Sequence, residues 1–147
     1  MVHALEGIKG LLRLDGTLID IHPVLHAPSI EVRSAGRVSF ARPDPGYDYE
    51  EDVRHAEDAV ALVLKRGLFV MDRSREFDFI TYGSSVAELR DFMAQTGAYD
   101  ESPPDKAVVA RQAELYARVE EAMSDSGEEP EVAYHERGRM ARLTPAR

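Results

Sequence analysis

The sequence predicts an α/β domain in which a sheet with flanking helices carries an inserted β-hairpin. Three observations lead there. Apolar residues recur at helical spacing in four segments, strand-length apolar or alternating runs lie between them, and Gly, Pro, Asp and Ser cluster at the joints. The 147 residues suit a single domain, 1–147, long enough to bury roughly 70% of its unfolded surface.

The elements follow in order. Leu5, Ile8 and Leu12 stand at i, i+3 and i+7, so a first helix is expected from Val2 to Leu14, ending at the Asp15-Gly16 turn. Thr17 to His22 reads "TLIDIH", apolar on both faces except at Asp20, the pattern of a strand buried on both sides of a sheet and ended by Pro23. Ser29 to Ala41 alternates on either side of Ala35-Gly36 and predicts the hairpin. "PDPGYDYEED" is a turn-rich acidic linker into a second helix, with Asp48 as cap, Glu51 as its capping-box partner, Val53, Ala56, Val60 and Val63 as the buried stripe, and Gly67 as the stop.

"LFVMDRSREFDFITY" reads as two short strands, Leu68 to Met71 and Phe77 to Tyr82, joined by a polar turn. Ser85 and Glu88 form a capping box for a third helix, with Val86, Leu89, Phe92 and Met93 facing inward and Gly97 ending it. Ser102 and Pro103 open a fourth, with Val108, Leu115, Tyr116, Val119 and Met123 at helical spacing. The last stretch, "EVAYHERGRMARL", fits a helix or a strand; Val132, Tyr134 and the preceding Pro130 favour the strand.

Composition excludes several functions. There is no cysteine, hence no disulfide, thiol catalysis or thiolate metal site. A net charge of -9 argues against general nucleic-acid binding, which draws on clustered Lys and Arg. No apolar run approaches the ~20 residues needed to cross a bilayer. No basic flank precedes an apolar segment at the amino terminus, so the expected location is cytoplasmic.

"LLRLDGTLIDIHP", Leu11 to Pro23, has the look of a haloacid-dehalogenase-like phosphatase motif, Asp-x-Asp-Gly-Thr. Asp15, Gly16 and Thr17 fit its second half, but the nucleophile position holds Arg13, and arginine cannot form an aspartyl-phosphate. A different resemblance covers most of the chain. Helix, "LRLDGTLIDIHPV", a divergent insert, a long helix ending at "KRGLFV", then strands and "SSVAELRDFM" resembles the carboxyl-terminal half of a class I S-adenosylmethionine-dependent methyltransferase. Arg13, Leu14, Asp15, Gly16 and Thr17 stand where that family has Leu-x-Pro-Gly-Gly-x-Leu. The resemblance implies a partial Rossmann-like methyltransferase sheet, mixed parallel and antiparallel. The family's Gly-rich cofactor turn would lie upstream of Met1, and no G-x-G-x-G follows a strand here. The chain is therefore expected to lack the cofactor-binding half: a truncated or split enzyme, inactive alone and using S-adenosylmethionine only if complemented. The alternative is a non-catalytic, dimeric α/β module that binds a ligand or partner.

Candidate chemistry gathers at the end of the first strand. Ligands collect at the carboxyl ends of strands in doubly wound sheets, and Asp20, His22 and His26 lie there. The functional reading makes them substrate contacts, with His22 or Asp20 as general base. The structural reading has Asp20 bonding loop amides and His22 packing beside Pro23. A metal site at Asp20, His22 and His26 is disfavoured, because Pro23 breaks any helix that would align the two histidines and no fourth ligand is evident unless His55, Glu31 or His135 folds in. If the methyltransferase half is missing, the strand Thr17 to His22 has an exposed edge, and a homodimer is expected.

Overall fold

The computed structural model of the protein describes residues 1–96, 105–126 and 129–146. Helix α1 (Val2–Leu11) leads into strands β1 (Leu18–Pro23), β2 (Ser29–Ser34) and β3 (Arg37–Pro43). Helix α2 (Glu50–Lys65), strand β4 (Phe69–Gly83), helices α3 (Val86–Thr96) and α4 (Lys106–Asp125) and strand β5 (Glu131–Pro145) follow. The strand order is β1-β5-β2-β3, with β4 also on β5.

The α/β class is as expected, but the sheet is antiparallel and not Rossmann-like. Leu18 lies opposite Leu143 and His22 opposite Arg139, while Ser29 lies opposite His135 and Arg33 opposite Glu131. The physical reason lies in the connections. Parallel neighbours need a crossover of a dozen or more residues, whereas β2 and β3 are joined by a tight turn and β5 returns antiparallel to both β1 and β2. The ambiguous last stretch is thus the strand on which the sheet is built.

The chain divides into two compact units, and strands β4 and β5 each contribute residues to both. The first unit comprises Met1–His26, Asp48–Asp78 and Arg137–Arg147. Its core joins Leu5 of α1, Ala59, Val60 and Val63 of α2, Phe69 and Leu143, each large side chain contributing roughly 1.5–3 kcal/mol by leaving water. Helix α1 ends at Leu11 rather than Leu14, because Leu12 is already extended. Helix α2 begins after Tyr49 with no side-chain cap, so the cap expected of Asp48 is not formed. It stops at Gly67, closed by the Leu68 N–H donating to the Val63 carbonyl at 3.0 Å. Strand β1 corrects a second expectation. Leu18, Asp20 and His22 are shielded, whereas Ile19 and Ile21 are 49% and 58% exposed, so the strand is buried on one face only.

The second unit comprises Ala27–Tyr47 and Phe79–Glu136. Its hairpin is as predicted: Ala35 and Gly36 both have positive φ, 47° and 76°, the signature of a type I′ turn. Ile30, Val32, Val132 and Tyr134 pack against Val86 and Leu89 of α3 and Leu115 and Val119 of α4. The capping box of α3 forms in its first half, the Glu88 N–H donating to Ser85 Oγ at 3.2 Å, while the Glu88 carboxylate reaches one residue further and accepts from the Ser84 N–H at 2.7 Å. Phe92, expected inside, is 40% exposed. Helix α4 is capped by Asp105, which accepts from the Ala107 N–H at 2.8 Å; Gly97, Ser102 and Pro103 lie outside the described residues.

Strand β4 is continuous where two strands and a turn were expected. The polar run Asp72 to Glu76 stays extended because β5 offers charges to match it: Arg142 lies 3.5 Å from Asp72, and Arg137 lies 2.7 Å from Glu76. No helix among the described residues is long and apolar enough to cross a membrane.

Candidate functional site

The alternation of β1 puts Asp20 and His22 on one face, and in the first unit the two do meet. Asp20 Oδ2 lies 2.8 Å from His22 Nδ1, a close contact that departs from hydrogen-bond alignment. On the other side of the ring, Arg139 Nη2 lies 2.9 Å from His22 Nε2. A guanidinium only donates, so Nε2 is the acceptor of this contact. Arg139 also reaches Glu57 of α2 at 3.5 Å. The four side chains form a chain of alternating character, acid, imidazole, guanidinium, acid. A general base must present a lone pair to its substrate, and the lone pair of His22 is engaged by Arg139.

His26 is not part of this cluster. It lies beyond β1, its side chain is exposed, and its backbone N–H donates to the Val24 carbonyl at 2.7 Å. The three residues named from the sequence therefore resolve into a pair and an outlier. Among the described residues, no group of three or more His, Cys, Asp or Glu side chains is placed to hold a metal ion.

A second charged cluster lies in the second unit, where Glu31 and His135 pair with each other instead of joining Asp20 and His22. Glu31 of β2 is 6% exposed. Its Oε1 accepts from Ser29 Oγ at 3.0 Å and lies 2.8 Å from His135 Nδ1, and its Oε2 accepts from Arg33 Nε at 2.7 Å. Arg33 also stands 6.0 Å from the centre of the Tyr82 ring. Burial alone would raise the Glu31 carboxyl; the hydrogen bonds from His135, Arg33 and Ser29, with the Arg33 charge, outweigh it and hold the group below the usual glutamate range. The signal in the sequence was Ser29, Glu31 and Arg33 at period two. His135 joins them only through the register of β2 with β5.

The third arrangement is open. In the second unit, Arg42, Pro43 and Pro45 from β3 and the turn after it, with Arg111, Glu114, Leu115 and Arg118 from α4, line a hollow of about 260 Å³. Arg111 and Arg118 are seven residues apart, two helical turns on one face. The guanidinium carbons of Arg42 and Arg118 lie 5.4 and 5.9 Å from the centre of the same ring, Phe40. That aromatic face favours cations within about 6 Å and so gathers like charges. Among the described residues, none of the three arginines is in an ion pair. On the same helix as Arg111 and Arg118, burial and the Asp44 carboxylate push the Tyr116 phenol above its ordinary value, against the Arg90 guanidinium, which lies 5.5 Å from the ring centre. No sequence motif announces this site, because β3 and α4 are brought together only by the fold.

Comparison of the chain with known protein families, with curated proteins and with solved structures finds no match.

Proposed function

We propose that this protein is a non-catalytic α/β module that binds a small ligand carrying phosphate or carboxylate groups, and that it does so in the arginine hollow. The observation that carries the reading is the convergence of Arg42, Arg111 and Arg118 on one open space. Guanidinium groups pair with oxyanions through two parallel N–H···O bonds, a geometry lysine cannot supply. Three cations held close repel one another, and an anion between them relieves that repulsion. Pro43, Pro45 and Leu115 supply an apolar floor, and Glu114 is the one acidic side chain in the lining. The volume, about 260 Å³, lies just below the roughly 300–1,000 Å³ typical of drug-sized ligands and suits a small metabolite. The net charge of -9 repels anions at long range, but at physiological salt that field is screened beyond about 8 Å and the local arginines dominate.

The test is calorimetric titration of the full chain with inorganic pyrophosphate. A dissociation constant of roughly 100 µM or tighter is expected, about -5.5 kcal/mol. Arg118→Ala should weaken it by about 1.5–3 kcal/mol, the value of a hydrogen bond to a charged group. Binding that is undetectable, or that Arg118→Ala leaves unchanged, would remove the basis of the proposal.

A further inference from the structure

The two walls of the hollow are tied together behind its surface by one buried carboxylate. Asp44 stands between Pro43 and Pro45, both lining residues, yet is itself 6% exposed and turned away from the opening. Its Oδ1 accepts from the Gly46 N–H at 2.9 Å and from Gln112 Nε2 at 3.2 Å, and its Oδ2 accepts from the Tyr134 hydroxyl at 3.2 Å. Its own N–H donates to the Pro28 carbonyl at 2.9 Å. Gln112 follows Arg111 on α4, so one carboxylate fixes the Pro43–Gly46 turn, helix α4 and the core side of β5 at once. A Cβ at Gly46 would overlap the Gln112 amide, so a side chain there would displace Gln112 from Asp44.

Resting on the ligand-binding reading above, we infer that Asp44 is the positioning residue of the anion site: it holds Arg42, on the β3 side, in register with Arg111 and Arg118 of α4, without touching the ligand. The sign of its effect makes the inference testable. As a charge, Asp44 opposes anion binding, and removing it should tighten the complex. As a positioning group it supports binding, and removing it should loosen the walls and weaken the complex. Positioning is the larger effect here because productive pairing of three guanidiniums with one ligand tolerates displacements of only a fraction of an ångström, whereas the carboxylate's charge is compensated by three hydrogen bonds.

The experiment titrates inorganic pyrophosphate into the wild type, Asp44→Asn, Gln112→Leu and Arg118→Ala, each well below its own melting midpoint. Asp44→Asn should lose roughly tenfold in affinity, the scale of one broken charged hydrogen bond, despite the gain in local positive charge. Gln112→Leu removes one donor without altering charge or fold-wide packing and should lose a smaller factor in the same direction, which keeps the test alive if Asp44→Asn fails to fold. Affinity unchanged or tightened in the folded Asp44→Asn or Gln112→Leu variant, with Arg118→Ala still weakened, overturns the positioning role and leaves the anion site standing. A wild type that does not bind overturns both.

Discussion

The Glu31 cluster and the arginine hollow, both in the second unit, contain the same chemical ingredients and use them oppositely. At Glu31 a carboxylate is surrounded by Ser29, Arg33 and His135, and each partner satisfies another. At the hollow, three guanidiniums face open space with a single acid in the lining. The first arrangement is closed and its free energy is spent on the fold. The second is open: Arg42 Nη1 donates to the Ala41 carbonyl at 2.8 Å, but none of the three arginines is in an ion pair among the described residues. The Asp20–His22–Arg139–Glu57 chain of the first unit is intermediate: its charges face one another, yet Asp20 Oδ2, His22 Nδ1 and Arg139 Nε are buried without a hydrogen-bond partner among the described residues. The location of charge is therefore a poorer guide to function than whether the charge is already answered from within the chain.

The comparison is broken most forcefully at Glu31. Glu31→Ala removes the shielded carboxylate that Ser29, Arg33 and His135 share and should destabilise the protein by about 3–5 kcal/mol in urea unfolding, as removing one partner of a buried pair does. Pyrophosphate affinity of the folded fraction should be unchanged. The same group governs the acid limb of stability. Its carboxyl is held low in the folded chain, and unfolded glutamate titrates near about 4.3, so the unfolded state binds the proton first. The stabilisation is complete above that unfolded value and is lost as pH falls through the lower folded value. The acid limb should flatten in Glu31→Gln, and an identical limb in that variant would show that Glu31 does not control it.

An intermediate effect is expected at the Asp20–His22 pair. Asp20→Asn keeps the shape but removes the carboxylate charge beside His22 and should cost about 1–3 kcal/mol, again with pyrophosphate affinity intact. A loss of binding there, without loss of stability, would transfer the ligand site to the first unit. The smallest effect belongs to the exposed pair Arg142–Asp72, 3.5 Å apart, where Arg142→Ala should change stability by no more than about 1 kcal/mol.

Much of the local structure was legible because it is encoded locally. The Ala35-Gly36 turn announces its hairpin, Ser85 and Glu88 announce their helix, and period-two spacing places Asp20 beside His22. What was illegible depends on partners remote in sequence. Asp72 to Glu76 has the composition of a turn, yet stays extended because Arg137 and Arg142 lie alongside. Ile19 and Ile21 read as buried on a second face, but the pattern cannot say that this face lacks a covering layer. The hollow is the extreme case, since Arg42 and Arg118 meet around Phe40 only after β3 and α4 have packed. The Asp-Gly turn at Asp15, which looked most like a motif, belongs to none of the three clusters.

If the open site binds and the closed ones do not, an added anion must perturb the hollow alone. Amide and arginine side-chain NMR shifts of the full chain, followed as inorganic pyrophosphate is added, test it most directly. The account predicts saturable shifts centred on Arg42, Arg111 and Arg118 and on the Pro43–Gly46 turn, with His22, Arg139, Glu31 and His135 unmoved. Shifts centred on Asp20, His22 and Arg139, with the hollow silent, would contradict it.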